Sequence, residues 1–460
     1  MATNSFYQNG LVPEGSELAG KRILFANVPA DGHFNPLTSL AVHLLSLGYD
    51  VRWYTSSLYE NKVRKLGIPF YPFREAKEID ASNLDLAFPE RTKINRKIAK
   101  LNFDVIHFFV ARAPEYYADM MEIRKEFPFD LVIADCGFAA IPFITEKIRV
   151  PAISIGVLPL VASSRDLPPS GLGMKPSRNF LGRIKQDLLR FMAFKILFRK
   201  SNVFLHRQLD EYGIPHQGEN VFDMVVRKST LLLQSGTHGF EYERSDLSPH
   251  IHFIGPLLPY SSPKKKIPWF HPKLNRYERV ILVTQGTVEK DISKLIIPTL
   301  EAFRETEVLV VATTGGSGTC ELRERFRDDN YIIEDFVPFD DIMPYADAYI
   351  TNGGYGGVML AIENNLPMVV AGIHEGKNEI NARIDHFRLG INLATERPSS
   401  EQIRKATREI FANPVYRANV IRLAAEFACF DPLRITADKV AGLLGQPMVA
   451  NREKNVLTQV

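Results

Sequence analysis

Residues 346 to 383 read ADAYITNGGYGGVMLAIENNLPMVVAGIHEGKNEINAR, and this stretch decides the fold. The apolar run Ala348, Tyr349 and Ile350 suits a buried strand, and a helical pattern begins near Tyr355. Between them lie Asn352, Gly353, Gly354, Gly356 and Gly357. Glycines let the backbone turn sharply so that N–H groups face an anion, and the positive end of the following helix stabilises a pyrophosphate. A second apolar strand, Met368 to Ala371, leads into a polar loop, His374 to Glu379, placed to reach the far end of the same ligand. The layout predicts a ligand with a diphosphate at one end and hydroxyls at the other.

The strand-and-helix rhythm continues upstream. Strands are predicted at Arg279 to Thr284, Val308 to Ala312 and Tyr331 to Phe336, with a helix from about Ile292 to Arg304. An earlier set of short apolar runs falls at Arg22 to Val28, Asp50 to Tyr54, Asp130 to Ala134, Pro151 to Ile155, Thr230 to Leu233 and Ile251 to Gly255. After the first of these a helix is predicted from Pro36 to Leu47, with Asn35 as N-cap and Gly48 closing it. Between the two sets, PLLPYSSPKKKIPWFHP reads as linker by its prolines and lysines. The expected organisation is a flexible N-terminus (1–20), an α/β domain (21–255), a linker (256–278), a second α/β domain (279–431), a C-terminal helix (432–446) and a disordered tail (447–460).

At 460 residues the chain is long enough for two cores. A net charge of +3, with basic residues dispersed, leaves no nucleic-acid footprint. Cys136, Cys320 and Cys429 are far apart and lack metal-ligand spacing, which fits a reducing compartment without a disulfide frame. The polar N-terminus shows no signal peptide and no segment reads as a membrane span, so a cytoplasmic protein is expected.

The loop Ala30-Asp31-Gly32-His33-Phe34-Asn35-Pro36 leaves the first strand at its carboxyl end, where open α/β sheets bind ligands. His33 there is either incidental to a helix-capping loop or a base, since histidine titrates near neutrality and can take a proton from a hydroxyl. Asp135 ends the strand DLVIAD and can face that loop. It either caps the following turn or orients His33, because a carboxylate on one imidazole nitrogen fixes the tautomer and stabilises the cation formed by protonation.

The 346–383 segment resembles the donor-sugar signature of the nucleotide-sugar-dependent glycosyltransferases of small molecules, the UDP-glycosyltransferase superfamily of plant, macrolide and glucuronosyl enzymes. The plant pattern H-x-G-x-x-S-x-x-E followed by D/E-Q is answered here by Asn352, Gly357, Leu360 and Gly376-Lys377. The bacterial and fungal subgroup with N-G-G-x-G-G and an E-x-K-x-E loop is closer. The resemblance runs from about Lys21 to Leu444 and implies an α/β fold of GT-B type: two facing Rossmann-like domains with parallel sheets and a cleft between them, the last helix returning to the first domain.

The resemblance also implies roles. G-H-x-x-P matches the catalytic-base motif, making His33 the base and Asp135 its partner. Gly286 and Thr287 fall at the position that contacts the diphosphate, and Phe336 and Val337 where plant members stack the nucleobase. Phe339 stands where the plant pattern has Gln. Glu375, Lys377, Asn378 and Glu379 become candidates for the sugar hydroxyls, unless that loop is only solvated charge. Candidate acceptor walls are Phe34, Phe103, Phe108, Phe109, Met174 and Phe180, which core packing explains equally well. The apolar, basic segment Leu188 to Phe204 is expected to cover the first domain with its apolar face inward and line the acceptor pocket, an interfacial membrane helix being the other reading. No D-x-D occurs, so no metal and no cofactor are expected, and the helix dipole with backbone amides must carry the diphosphate charge.

The expected activity is inverting transfer of a hexose, glucose first, from a UDP-sugar or a dTDP-sugar to an apolar small molecule such as a flavonoid, phenol or polyketide. A nucleotide-sugar epimerase of the same architecture and a non-catalytic nucleotide-binding protein are the alternatives. Oligomeric state is not legible in the sequence.

Overall fold

The computed structural model describes residues 20–80, 83–261, 268–286, 289–374 and 376–445. The expectations for the N-terminus, the tail, part of the linker, Thr287 and Glu375 lie outside the described residues.

The short apolar runs form two parallel sheets. Seven strands, β1 (Arg22–Ala26), β2 (Asp50–Thr55), β3 (Phe70–Pro72), β4 (Leu131–Asp135), β5 (Ala152–Gly156), β6 (Leu231–Ser235) and β7 (Ile251–Gly255), pair in the order β3-β2-β1-β4-β5-β6-β7. Six more, β8 (Arg279–Thr284), β9 (Val308–Thr313), β10 (Tyr331–Glu334), β11 (Ala348–Thr351), β12 (Met368–Val370) and β13 (Gly390–Asn392), pair in the order β10-β9-β8-β11-β12-β13. Every residue of β4 and β5 is buried, as expected for strands covered on both faces. In each sheet the strand order reverses once, between β1 and β4 and between β8 and β11, and ligands of open α/β sheets bind beyond the carboxyl ends of strands at such a reversal.

Two strands, β3 and β13, were not expected; each is three residues long, too short for alternation to register. The first helix is Asp31–Ser46 with Ala30 at its N-cap, so Pro36 sits inside it and Asn35 is no cap. The helix can begin this early because His33 N–H and Phe34 N–H both donate to Ala30 O at 2.9 Å, closing the first turn before the proline. The helix after β8 is shorter than expected, Ile296–Ala302, and is capped by a side chain: Gln285 Oε1 accepts from Leu295 N–H at 3.0 Å and Ile296 N–H at 3.1 Å.

The two halves are joined by more than the linker. Helix Pro432–Leu443 packs on helix Asp31–Ser46 and on β7, with Val440 buried in the first sheet's core. Tyr355 Oη donates to Ser235 O at 2.7 Å, and Glu426 Oε1 accepts from Gly239 N–H at 2.9 Å.

The segment between β5 and β6 departs from the expected packing. It forms helix Phe180–Met192, a wider turn at Ala193–Leu197 and helix Arg199–Glu211. The first helix turns Gln186 inward and its apolar side outward, the following turn buries Ala193, and Phe180 is 77% exposed. Polar bonds explain the inversion: Gln186 Oε1 accepts from Ser177 N–H at 2.5 Å, its Nε2 donates to Asp166 O at 3.2 Å, and Arg190 donates to Leu167 O. Among the described residues no helix is long and apolar enough to cross a membrane.

Candidate active site

His33 lies in the first turn of the helix after β1, and Asp135 is the last residue of β4, the two strands that flank the reversal in the first sheet. The imidazole Nδ1 donates to Asp135 Oδ1 at 2.5 Å. Asp135 is fully buried and also accepts from Gly137 N–H at 2.7 Å and Val28 N–H at 2.8 Å, which holds the carboxylate rigidly. A carboxylate can only accept, so Nδ1 carries the proton and Nε2 presents its lone pair. The arrangement fixes the tautomer and ring orientation of an imidazole through a buried carboxylate, a geometry suited to a general base. Burial, and after it the Asp135 charge, pushes the adjacent Cys136 thiol up to about 12, so it stays protonated near neutrality and offers no competing nucleophile.

The surroundings of the pair sort the acceptor-wall candidates. A Cβ at Gly137 would lie 3.1 Å from His33 Cε1 and 3.2 Å from Phe109 Cε1, so Phe109 borders the dyad and Gly137 leaves room there. Phe34 does not line the site. It is buried against Trp53 and Tyr59, with ring centroids 4.7 and 4.8 Å away, because it belongs to the sheet-facing row of its helix with Leu37, Leu40, Ala41 and Leu44. Phe108 is likewise core, in a small cluster with Ile79 and Phe88 on which Phe103 also packs. Met174 is half-buried in the loop before Phe180, and Phe180 faces outward.

In the second sheet, Gly286 after β8 and Asn352 after β11 meet at the other reversal. Asn352 Nδ2 donates to Gln285 O, tying the two loops together. Gly353 has φ +90°, and a Cβ there would overlap Asn381 Oδ1 at 1.9 Å, so both conformation and space require glycine. Gly354 caps helix Tyr355–Glu363, and Gly356, with nothing within 4 Å of its Cβ position, lies in the open first turn. At Gly357 a Cβ would come within 2.9 Å of Tyr349 Oη, so this glycine seats the helix on its strand. The helix packs against helix Asp31–Ser46, the helix that carries His33.

Phe336 is 73% exposed beyond the end of β10, with its ring beside Gly316, while Val337 is buried in the second core. An exposed aromatic at that edge can stack a base. The run Thr314-Gly315-Gly316-Ser317-Gly318 after β9 was missed in the sequence. Gly315, Gly316 and Gly318 all have positive φ, and Gly315 approaches Gly286 O, so this turn completes the rim. Its signal was the glycine cluster directly following the apolar run LVVAT.

The loop after β12 is placed differently from expectation. Asn378 Nδ2 donates to Gly171 O at 2.7 Å, and Glu379 Oε1 accepts from Gly171 N–H and Gly173 N–H, each at 2.8 Å. Both side chains therefore hold a loop of the first half instead of facing the glycine turn. Lys377 opens helix Lys377–His386 and its stem runs past Gly372. Arg383, on the same helix, is 2% exposed and bonds Glu241 Oε2 through Nε at 3.1 Å and Nη2 at 2.8 Å, and Glu379 Oε2 through Nη1 at 3.1 Å. Among the described residues no three His, Cys, Asp or Glu side chains converge to hold a metal.

Comparison with known proteins matches residues 306–439 to the family described as erythromycin biosynthesis protein CIII-like, C-terminal domain. Over 428 residues the chain is 33% identical to 4'-demethylrebeccamycin synthase of Lentzea aerocolonigenes, covering 92% of this chain and 100% of that protein. It is 30% identical over 419 residues to UDP-glucosyltransferase 1 of Beauveria bassiana, covering 86% of this chain and 90% of the relative. The crystal structure of the calicheamicin glycosyltransferase CalG4 superposes with a TM-score of 0.71 at 20% identity, covering 92% of this chain and 98% of that one, a likeness of fold.

Proposed function

The chain belongs to the macrolide-type, family-one glycosyltransferases of small molecules, with the GT-B fold, and from that premise we propose that it is an inverting, metal-independent enzyme that moves glucose from UDP-glucose to an apolar phenolic or polyketide-like acceptor. One observation carries the reading: the His33–Asp135 pair stands at the reversal of the first sheet, on a helix that packs against the helix opened by the glycine turn. In this reading His33 Nε2 takes the acceptor proton, the oxygen attacks the anomeric carbon opposite the departing nucleotide, and the glycine turn with the N-terminus of helix Tyr355–Glu363 stabilises the leaving diphosphate. Gly286, Asn352, Gly353, Gly354, Gly356 and Gly357 shape that diphosphate site, Phe336 stacks the base, Lys377 reaches the sugar and Phe109 borders the acceptor. A screen of UDP- and dTDP-sugars against a phenolic panel, reading nucleoside diphosphate release, tests it. Release that depends on both donor and acceptor is expected; an altered nucleotide sugar formed with no acceptor consumed would indicate an epimerase, and binding without turnover a non-catalytic role.

Asp135→Asn is expected to lower kcat by about 10²–10⁴-fold with donor affinity unchanged. The geometry adds a stability cost, because an amide has one acceptor oxygen for three N–H donors now held by two, leaving one donor unmatched at about 1–3 kcal/mol. Specific activity preserved per folded molecule would reduce Asp135 to shaping the loop.

Leu360 and Phe339 replace the polar pair of the plant pattern and both pack on the second core, so neither can hydrogen-bond a ribose. One lost hydrogen bond to a neutral partner costs about 0.5–1.5 kcal/mol, so UDP should be preferred over dTDP by no more than about tenfold. Competition of the two nucleotides against one bound donor measures this. A hundredfold preference abolished by Glu363→Ala would assign the ribose contact to Glu363, which ends the same helix.

A further inference from the structure

Helix Phe180–Met192 is amphipathic in the opposite sense to an ordinary surface helix. Phe180 and Leu181 are each 77% exposed, Phe191 59% and Ile196 60%, and Ile184 and Leu188 lie between them on the same outward face. The wider turn at Ala193–Leu197 inserts a residue into the helical register, which keeps Ile196 on that face beside Met192. Ile98 and Leu101 of helix Lys97–Asp104 are exposed as well, and Asn102 Nδ2 joins that helix to Leu197 O at 2.6 Å. Arg183, Lys185, Lys195, Arg199 and Lys200 are exposed around it, and the only acid between Phe180 and Lys200, Asp187, is paired with Arg190.

We infer that this face is an interfacial docking surface for an anionic lipid bilayer. Apolar side chains flanked by exposed Lys and Arg suit a boundary where acyl chains lie below a layer of negative headgroups. A second copy of the chain fits less well, because a twofold contact through this face would set its basic rim against an identical basic rim. The helix is held to the protein by Gln186 and Arg190 on its inner side, so the outer side chains insert without unfolding it. The inference does not depend on the reaction proposed above, although an apolar acceptor would be concentrated in such a bilayer.

The test is sedimentation of the full chain with vesicles of phosphatidylcholine alone or mixed with phosphatidylglycerol, at low and high salt. Binding to the mixed vesicles and little to phosphatidylcholine is expected, weakening with salt. Lys185→Gln and Lys195→Gln should each weaken it by about fivefold, the effect of one basic residue near a charged surface. Leu188→Asp/Phe191→Asp should abolish sedimentation while leaving the melting temperature unchanged, since both side chains face outward. No preference of the wild type for anionic vesicles, or equal binding by the double aspartate variant, would overturn the inference. Self-association in solution that the double variant removes, without vesicle binding, would give the face to a second copy instead.

Discussion

His33→Ala is expected to reduce kcat by at least about a hundredfold while leaving UDP binding intact. An alcohol or weakly acidic hydroxyl holds its proton at neutral pH, and attack on the anomeric carbon needs that proton removed as the bond forms. The Asp135 carboxylate, buried and fixed by two backbone N–H groups, holds the imidazole in the tautomer whose Nε2 carries the lone pair, and alanine removes the ring held by that bond. The nucleotide site proposed above uses other segments, Gly286, the Gly315 turn and Gly353 to Gly357, so its affinity should persist. The loss should shrink as acceptor acidity rises, because a phenol already partly ionised needs less help. A panel of phenols of graded acidity, assayed with both proteins, gives the comparison. Equal turnover of a simple alcohol by the variant would exclude His33 as the base.

The elements that carry the site were legible because they are local. A glycine turn between an apolar run and a helix, and a histidine just after a strand, are patterns of adjacent residues, and β11 and helix Tyr355–Glu363 stand within a residue of where those patterns put them. What the sequence hid is pairwise. Phe34 and Phe109 are equally aromatic, yet one belongs to the row of its helix that faces the sheet and the other ends a turn beside Gly137. Glu379 looked like a sugar ligand from its neighbours in the chain, whereas its partners, Gly171 and Gly173, are some two hundred positions away. The outward apolar face of helix Phe180–Met192 has the same cause: amphipathic periodicity reveals that a helix has two sides and says nothing of which side the protein holds. Gln186 and Arg190 decide that, through backbone groups at Asp166 and Leu167.

Arg383→Met is expected to cost about 3–5 kcal/mol of stability, the effect of breaking one side of a buried ion pair. Arg383 comes from the second half of the chain and Glu241 from the segment after β6 in the first, so the bond ties the halves together at a point closed to water. Its guanidinium also lies 4.4 Å from the Tyr242 ring centroid, and Glu379, its second carboxylate, holds the loop at Gly171 and Gly173. With methionine the volume is roughly kept, but two carboxylates face each other with no cation between them, and the loop anchored by Glu379 loses its support. For a chain of this size the melting temperature should fall by about 3–5 °C. Adding Glu241→Gln removes one of the stranded charges while its oxygen still accepts from Leu160 N–H, now bonded at 2.8 Å. The double variant should therefore melt above Arg383→Met alone, because neutralising both partners of a buried pair costs less than neutralising one. Melting of Arg383→Met at the wild-type temperature would show that the triad adds nothing to the closure of the two halves. A double variant less stable than the single one would show that Glu241 acts through its bond to Leu160 and not through its charge.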